Sequence, residues 1–373
     1  MRFADVAGLE FIKEQLIKSA HNNMVSHAML FIGPDGYGGL PLALAFAQFL
    51  NCINPSENDS CGECSSCKKM AKFIHPDIHF SFPTFSEKGK ATLCNTMYTQ
   101  WREKLIANPY LTHFEWLQHI NAENKQGNIP VDECHSIIHN LSLKAYEGSK
   151  KIQIIWSTDL LGRAGNALLK IIEEPPPDTF FIFIARSKEN ILNTILSRTQ
   201  LFLLPPISIE NISIKLQKKF EIPNLEADRI AQLAGGNFAE ALRISKSAQN
   251  NHEDDFIAWM RLCYEFKGVE LLSWINDLHS KGREYIKDFL QYSLRIIRES
   301  ILISNESKGI SYLTSSEEDF AKRFSQFTHL ENAEKFYNLL NKTQYYIERN
   351  GNPKIIFFNL SLQFYKLFKP GNP

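Results

Sequence analysis

The sequence has no charge of either sign in excess. Its 41 Lys and Arg against 41 Asp and Glu leave a formal net charge of zero, which excludes bulk polycationic binding to nucleic acid or to an anionic membrane. Any DNA contact must be local. No stretch approaches the roughly 18 consecutive apolar residues of a membrane span. The opening Met-Arg-Phe-Ala-Asp-Val reaches Asp5 and Glu10 before an apolar core of leader length can form, so a cytoplasmic protein without membrane contact is expected. Internal repeats and low-complexity tracts are absent. What is present is a balanced chain of 373 residues, 44% hydrophobic and 22% charged, which argues against disorder, a fibre or a coiled coil. At about 150 residues per domain it predicts two or three globular domains.

The first third alternates helix and strand signals. Phe11, Ile12, Leu16 and Ile17 form a helical stripe, and the apolar run 28–32 ends at Gly33-Pro34-Asp35-Gly36, which reads as a buried strand entering a glycine loop. Residues 42–50 are apolar nearly all round and predict a helix packed under that strand, the first half of a βαβ unit. Runs 152–156, 180–185 and 201–204 are further strands, with a helical stretch at 165–172 and the breaker Pro175-Pro176-Pro177 between the first two. The alternation predicts an α/β fold with a doubly wound parallel sheet. Residues 84–128 break it and read as an insertion: a polar stretch, then one amphipathic helix through Trp101, Leu105, Phe114, Trp116 and Leu117. From 209 onward helices dominate, at 226–233, 239–247, 255–266, 285–303, 333–348 and 355–368, punctuated by Gly235-Gly236, Asn250-Asn251 and Asn350-Gly351-Asn352-Pro353. This predicts a doubly wound domain over 1–206, a small helical lid over 207–248 and an all-α domain over 249–373.

A phosphate-binding loop needs G-x-x-x-x-G-K-[ST] between strand and helix, so that backbone amides cradle the phosphate, the Lys neutralises it and the hydroxyl holds magnesium. The eight residues here are Gly33-Pro34-Asp35-Gly36-Tyr37-Gly38-Gly39-Leu40. Spacing and context fit, but Gly39 stands for the Lys and Leu40 for the Ser/Thr. After 152–156 the chain continues Ser157-Thr158-Asp159, without the adjacent acidic pair that serves metal and attacking water. A tight turn in any α/β sheet would explain the loop alone. Two degraded sites in the right order favour a decayed nucleotide fold, in which ATP binding is not expected.

Four of the seven cysteines, Cys52, Cys61, Cys64 and Cys67, follow the spacing C-x8-C-x2-C-x2-C. Close C-x2-C pairs let thiolates reach one tetrahedral ion, and four of them close the shell against catalysis, which predicts a structural Zn²⁺ over a module at 50–75. A bacterial iron–sulfur run would want a fourth Cys at Ala71. Lys68, Lys69 and Lys72 either offset the charge of a four-thiolate site or form a solvated helix face; His75 and His79 are alternative ligands next to a complete Cys set. Cys94, Cys134 and Cys263 are expected to be core thiols.

The stretch Asn166-Ala167-Leu168-Leu169-Lys170-Ile171-Ile172-Glu173-Glu174-Pro175-Pro176, a strand, and then Thr194-Ile195-Leu196-Ser197-Arg198 closely resembles bacterial DNA polymerase III clamp-loader subunits of the AAA+ class. Those subunits carry NALLKxLEEPP, a strand and TILSRC. Phe3-x-Asp5-Val6-x-Gly8, the Cys insertion and Asn352-Pro353 before the last helix resemble the same family. The resemblance covers residues 1 to about 245 well and implies a helical collar at the end. Within the family, gamma/tau-like subunits hydrolyse ATP with an intact loop, whereas the delta-prime group has a broken one and is the group this chain resembles. The departures are Thr199 for the usual Cys, Ala239 where the lid's sensor arginine would fall, and Ala185 or Arg186 where a sensor threonine would stand.

The resemblance implies an ATPase-inactive subunit in which Arg198, next to Ser197, serves in trans as an arginine finger for a neighbouring ATPase subunit. The implied partners are gamma/tau-like and delta-like clamp-loader subunits, the sliding clamp, and primer-template DNA reached through the assembled ring. Two other readings stay open: an ATP-hydrolysing motor, against which Gly39 and Leu40 speak, and a zinc-finger nucleic-acid module, which would usually need a basic recognition helix.

Overall fold

The computed structural model of the chain describes all residues except 88–89, 123–126, 149, 248–251, 305–312, 314, 329, 350 and 369–373. The chain divides into two compact units, Met1–Leu242 and Arg243–Pro373.

In the first unit a five-stranded parallel sheet is built from β1 (Ala28–Ile32), β2 (Ile78–Ser81), β5 (Lys151–Trp156), β6 (Thr179–Ala185) and β7 (Gln200–Leu203), in the spatial order β2-β5-β6-β1-β7. The antiparallel pair β3 (Ser86–Glu87) and β4 (Lys90–Ala91) stands apart from it. Central strands are apolar on both sides because both sheet faces are covered. Met29 and Phe31 of β1 and Ile182 and Ile184 of β6 face one core, shared with helix α2 (Gly39–Leu50), buried from Leu40 onward, and with α1 (Glu10–His21). Leu30, Phe181 and Phe183 face the other, covered by α6 (Val131–Ser142), α7 (Leu169–Glu173) and the short α8 (Asn193–Leu196). The α/β class and doubly covered parallel sheet expected from sequence are therefore present. Strand β2 was not expected: its four residues Ile-His-Phe-Ser lie at the sheet edge and carry too short a pattern to stand out.

The helix expected through Trp101 and Trp116 is two helices, α4 (Tyr98–Ala107) and α5 (His113–His119), following α3 (Ser65–Ala71) of the cysteine module. Pro109 causes the break: the residue before a proline is pushed out of the helical region, and Asn108 is extended at φ −153°, ψ 104°. Thr112 then starts α5 with a capping box to Glu115. The insertion belongs to the main core. Trp101 and Trp116 are fully buried; Trp101 stacks on Phe82 at 4.3 Å and meets Trp156 of β5 at 5.1 Å. Cys94 is buried here too, Cys134 in the core on the other sheet face and Cys263 in the second unit.

After the sheet come α9 (Ile209–Phe220), α10 (Asn224–Leu233) and α11 (Phe238–Ser247). The second unit is helical: α12 (His252–Glu265), α13 (Gly268–Ser280), α14 (Arg283–Ser304), α15 (Ser315–Phe324), α16 (Leu330–Glu348) and α17 (Pro353–Phe368). Helices α9, α13 and α15 were not resolved individually in the sequence, while Asn250-Asn251 and Asn350 lie outside the described residues. Pro353 opens α17, where its missing N–H is no loss, and the Asn352 side chain accepts from the Lys354 amide at 3.0 Å. The core is aromatic: Trp259 lies on Phe364 at 5.1 Å and donates its indole N–H to Ser361 at 2.8 Å. No described helix is long and apolar enough to cross a membrane.

His252 sits in this core, 2% exposed and 4.4 Å from the Tyr285 ring, with both ring nitrogens unpartnered. Burial pushes its pKa down to about 4, so the folded state keeps it neutral while the unfolded chain protonates through about 6.5. Stability is therefore lost as pH falls from about 6.5 towards 4, by up to about 2 kcal/mol after allowance for solvent screening. Urea unfolding at pH 7 and pH 4.5 checks this. The loss in the unmodified chain should exceed that in His252→Leu, and equal losses would refute it.

Candidate functional site

Strand β1 delivers the chain into the glycine loop, where the Gly33 amide donates to Ala185 of β6 at 3.0 Å. Gly36 and Gly38 then take left-handed backbones at φ 86° and 91°, and α2 begins at Gly39. Gly36 tolerates no side chain, since a Cβ there would lie 1.8 Å from the Asn237 side-chain oxygen. Gly33, Gly36, Gly38, Gly39 and Leu40 thus share one strand-to-helix loop and line one cleft with Trp156, Ile184 and Arg186.

The cleft is nearly full. About 20 Å³ of free space remains, room on the order of one water molecule. Pro109, Tyr110 and Leu111 of the insertion line it directly. The Tyr110 hydroxyl accepts from the Ala7 amide at 2.6 Å, and its ring lies 4.5 Å from that of Phe238. The Asp35 carboxylate accepts from the His113 amide at 2.9 Å. Burial raises the Asp35 pKa above the usual carboxylate range, while burial and the nearby Arg186 lower His113 to about 4 and keep it neutral at pH 7. Past β5, buried Asp159 holds Arg186, with the guanidinium Nε at 3.1 Å. A positive charge from the β6 end thus stands against the acidic residue after β5. Tyr110 and His113 were not singled out in the sequence, and Asp159 and Arg186 were named there separately without their pairing. The one local signal was the Asn108-Pro109 break, which turns Tyr110 away from a continuing helix.

The second cluster is the cysteine cage. Cys52 follows the end of α2, and Cys64 caps α3, its sulfur accepting from the Cys67 amide at 3.4 Å. The four sulfurs lie within 4.8 Å of one another; Cys52 to Cys61, Cys52 to Cys67 and Cys61 to Cys67 measure 3.5, 3.6 and 3.9 Å. Disulfides are excluded for these pairs, since an S–S bond is about 2.05 Å. Thiolates at about 2.3 Å from a central zinc would form a tetrahedron with edges of about 3.8 Å, so the donor set and its size fit a four-coordinate metal. Amides of Glu63 and Cys64 point at the Cys61 sulfur at 3.5 and 3.3 Å and lower its pKa. Burial would raise that of Cys64, but the Cys67 and Ile53 amides outweigh it and bring it to about 6. Such donors favour the thiolate, the form that ligates, at Cys61 and Cys64, whereas burial pushes the Cys52 and Cys67 thiols up. His75 and His79 are outside this cluster; His75 Nδ1 accepts from the Asp77 amide at 3.2 Å. Lys69 pairs with Glu147.

The third feature is the corner between α8 and β7. The Arg198 side chain, about one-third exposed, pairs with Glu173 at the end of α7. Its Nη1 donates to the Thr194 carbonyl at 2.9 Å and to the Ser197 hydroxyl at 3.2 Å. A half-solvated pair of this kind contributes about 0–1 kcal/mol, so an external anion can compete for the guanidinium.

Comparison with known proteins places the chain. Residues 8–208 match the family described as DNA polymerase III, delta subunit. The delta' subunit of DNA polymerase III from Escherichia coli (strain K12) is 31% identical over 196 residues, 52% of this chain and 46% of that protein. The delta' subunit from Bacillus subtilis (strain 168) is 25% identical over 237 residues, 63% of this chain and 59% of that one. The chain thus spans about half the length of these relatives. Among solved structures, a DNA polymerase III gamma subunit-related protein from Thermotoga maritima aligns over 96% of this chain and 99% of that chain, with 13% identity and a TM-score of 0.44. Since the family match takes in more than half of the 373 residues, this chain belongs to the DNA polymerase III delta-subunit family.

Proposed function

We propose that the chain is a delta'-like, ATPase-inactive clamp-loader subunit that presents Arg198 to the ATP of a neighbouring gamma/tau-like subunit while the sliding clamp is loaded on primer-template DNA. A delta-like subunit is a further partner. In this reading 1–206 is the AAA+ domain, 207–248 its lid and 249–373 the collar through which subunits associate. The observation that carries the reading is the loop itself: strand, glycines and helix are in register, yet Gly39 and Leu40 stand where phosphate and magnesium need a cation and a hydroxyl. Asp35 adds a carboxyl where phosphate charge would approach.

In the same reading the cysteine cage holds a structural Zn²⁺ through Cys52, Cys61, Cys64 and Cys67. The ion supplies a fixed four-point crosslink and no open coordination position. Its ligands orient α3 on the end of α2.

Isothermal titration of the isolated chain with ATP and magnesium should give no binding heat, and affinity in the micromolar range would overturn the reading in favour of a motor. Gly39→Lys alone should not create hydrolysis, since the metal-binding hydroxyl and the acidic pair are still missing. Recovery of DNA polymerase III subunits with the chain from cells checks the assembly role.

A further inference from the structure

Residues 98–122 form an insertion that reaches the nucleotide cleft from one side while remaining rooted in the core on the other. Trp101 and Trp116 anchor it against Phe82 and Trp156, and the Trp116 indole donates to the Pro83 carbonyl at 2.7 Å. From that base the Asn108-Pro109 break sends Tyr110 to the loop. There the insertion contacts three parts of the unit: the segment before α1 through the Ala7 amide, the glycine loop through Asp35 and His113, and the start of α11 through Phe238. The start of α11 is in turn fastened to the loop. The Phe238 amide donates to the Gly36 carbonyl at 3.0 Å, and the Asn237 side chain donates to the Asp35 carbonyl at 2.9 Å.

A nucleotide at a strand-loop-helix site binds to amides at the helix N-terminus. Here the remaining free volume is about 20 Å³, far below the several hundred Å³ of a small-molecule site. We infer that the Pro109-Tyr110-Leu111 turn is a built-in occupant of the nucleotide cleft, holding the segment before α1, the glycine loop and the start of α11 together as a bound ligand would. This inference rests on the reading of the loop as inactive in ATP hydrolysis. It adds that the cleft is closed by the chain's own side chains as well as stripped of phosphate-binding groups. The subunit therefore keeps one conformation at this cleft whatever the nucleotide concentration. A ligand that cannot leave carries no exchange cycle, which suits a fixed member of an assembly whose other subunits do cycle.

The test is amide hydrogen exchange read by mass spectrometry on the full chain, with and without millimolar magnesium ATP, alongside calorimetry. Tyr110→Ala should speed exchange of residues 36–42 and 234–242 by about tenfold or more while leaving β5 and β6 unchanged. Tyr110→Phe keeps the ring and removes only the hydroxyl, so it should speed exchange at Ala7. Unchanged exchange at 36–42 and 234–242 in a folded Tyr110→Ala protein overturns the inference, and if that variant fails to fold, unchanged exchange at Ala7 in Tyr110→Phe does so instead. Calorimetry separates the two levels: ATP heat from the unmodified chain defeats the inactive-loop reading as well, whereas silence with unaffected variants defeats only the built-in occupant.

Discussion

Arg198→Ala, in a complex reconstituted with an ATP-competent partner subunit, should lower DNA- and clamp-stimulated ATP turnover by on the order of 10³-fold or more while assembly and metal content stay intact. The side chain stands at the corner where α8 gives way to the edge strand β7, about one-third exposed and oriented by Thr194, Ser197 and Glu173. A planar, always charged guanidinium can stabilise charge on a transferring phosphoryl group, and such fingers are worth roughly 10³ to 10⁵ in turnover in GTPase systems. Arg198→Lys should recover little, because a point charge lacks the two-pronged fork. The Glu173 pair is too solvated to hold the guanidinium against a nucleotide phosphate. Clamp loading by Arg198→Ala at the unmodified rate would reduce the chain to a structural member of the ring.

Removal of the metal should have the second largest effect. Protein purified without added metal should carry close to one zinc per chain by elemental analysis. Cys64→Ser should abolish that stoichiometry and unfold the module around residues 52–75, because ligation contributes folding free energy, on the order of 10 kcal/mol for structural zinc in finger peptides. Cys64 acts twice, as a ligand in the cage and as the cap of α3 through the Cys67 amide. The sheet should stay folded, since its strands are held by cores on both faces. Protease cleavage within 52–75 together with an unchanged β-sheet signal in circular dichroism is the expected pattern. Iron with visible absorption, or a metal-free chain with an intact module, would refute the assignment.

The two predictions differ in how far sequence could carry them. The cysteines lie within a short stretch and their spacing alone sets how four sulfurs can meet one ion, so tertiary structure had only to bring Cys52 at the end of α2 to the other three. Arg198 was found through its motif, but its partner Glu173 lies 25 residues away across a strand, and no local period links the two. The glycine loop was legible for the same reason as the cage: strand, left-handed glycines and helix start are neighbours in the chain, and the missing Lys and hydroxyl are read directly at Gly39 and Leu40.

By itself, then, the sequence determined the α/β alternation, the strand-loop-helix order of the glycine loop and the four-sulfur donor set, because each depends on residues a few positions apart whose periodicity or spacing is the physical cause; Ser197-Arg198 was singled out by its resemblance to a family motif. Only the tertiary structure decided what fills the cleft. Tyr110 meets the Ala7 amide across 103 positions, the His113 amide meets Asp35 across 78, and Arg186 meets Asp159 across 27. The insertion read as one amphipathic helix because apolar spacing describes which side of a segment is buried and not what it is buried against. That choice was made by Pro109, which breaks the segment, and by Trp101 and Trp116, whose burial beside Phe82 and Trp156 sets the direction in which the broken end must point.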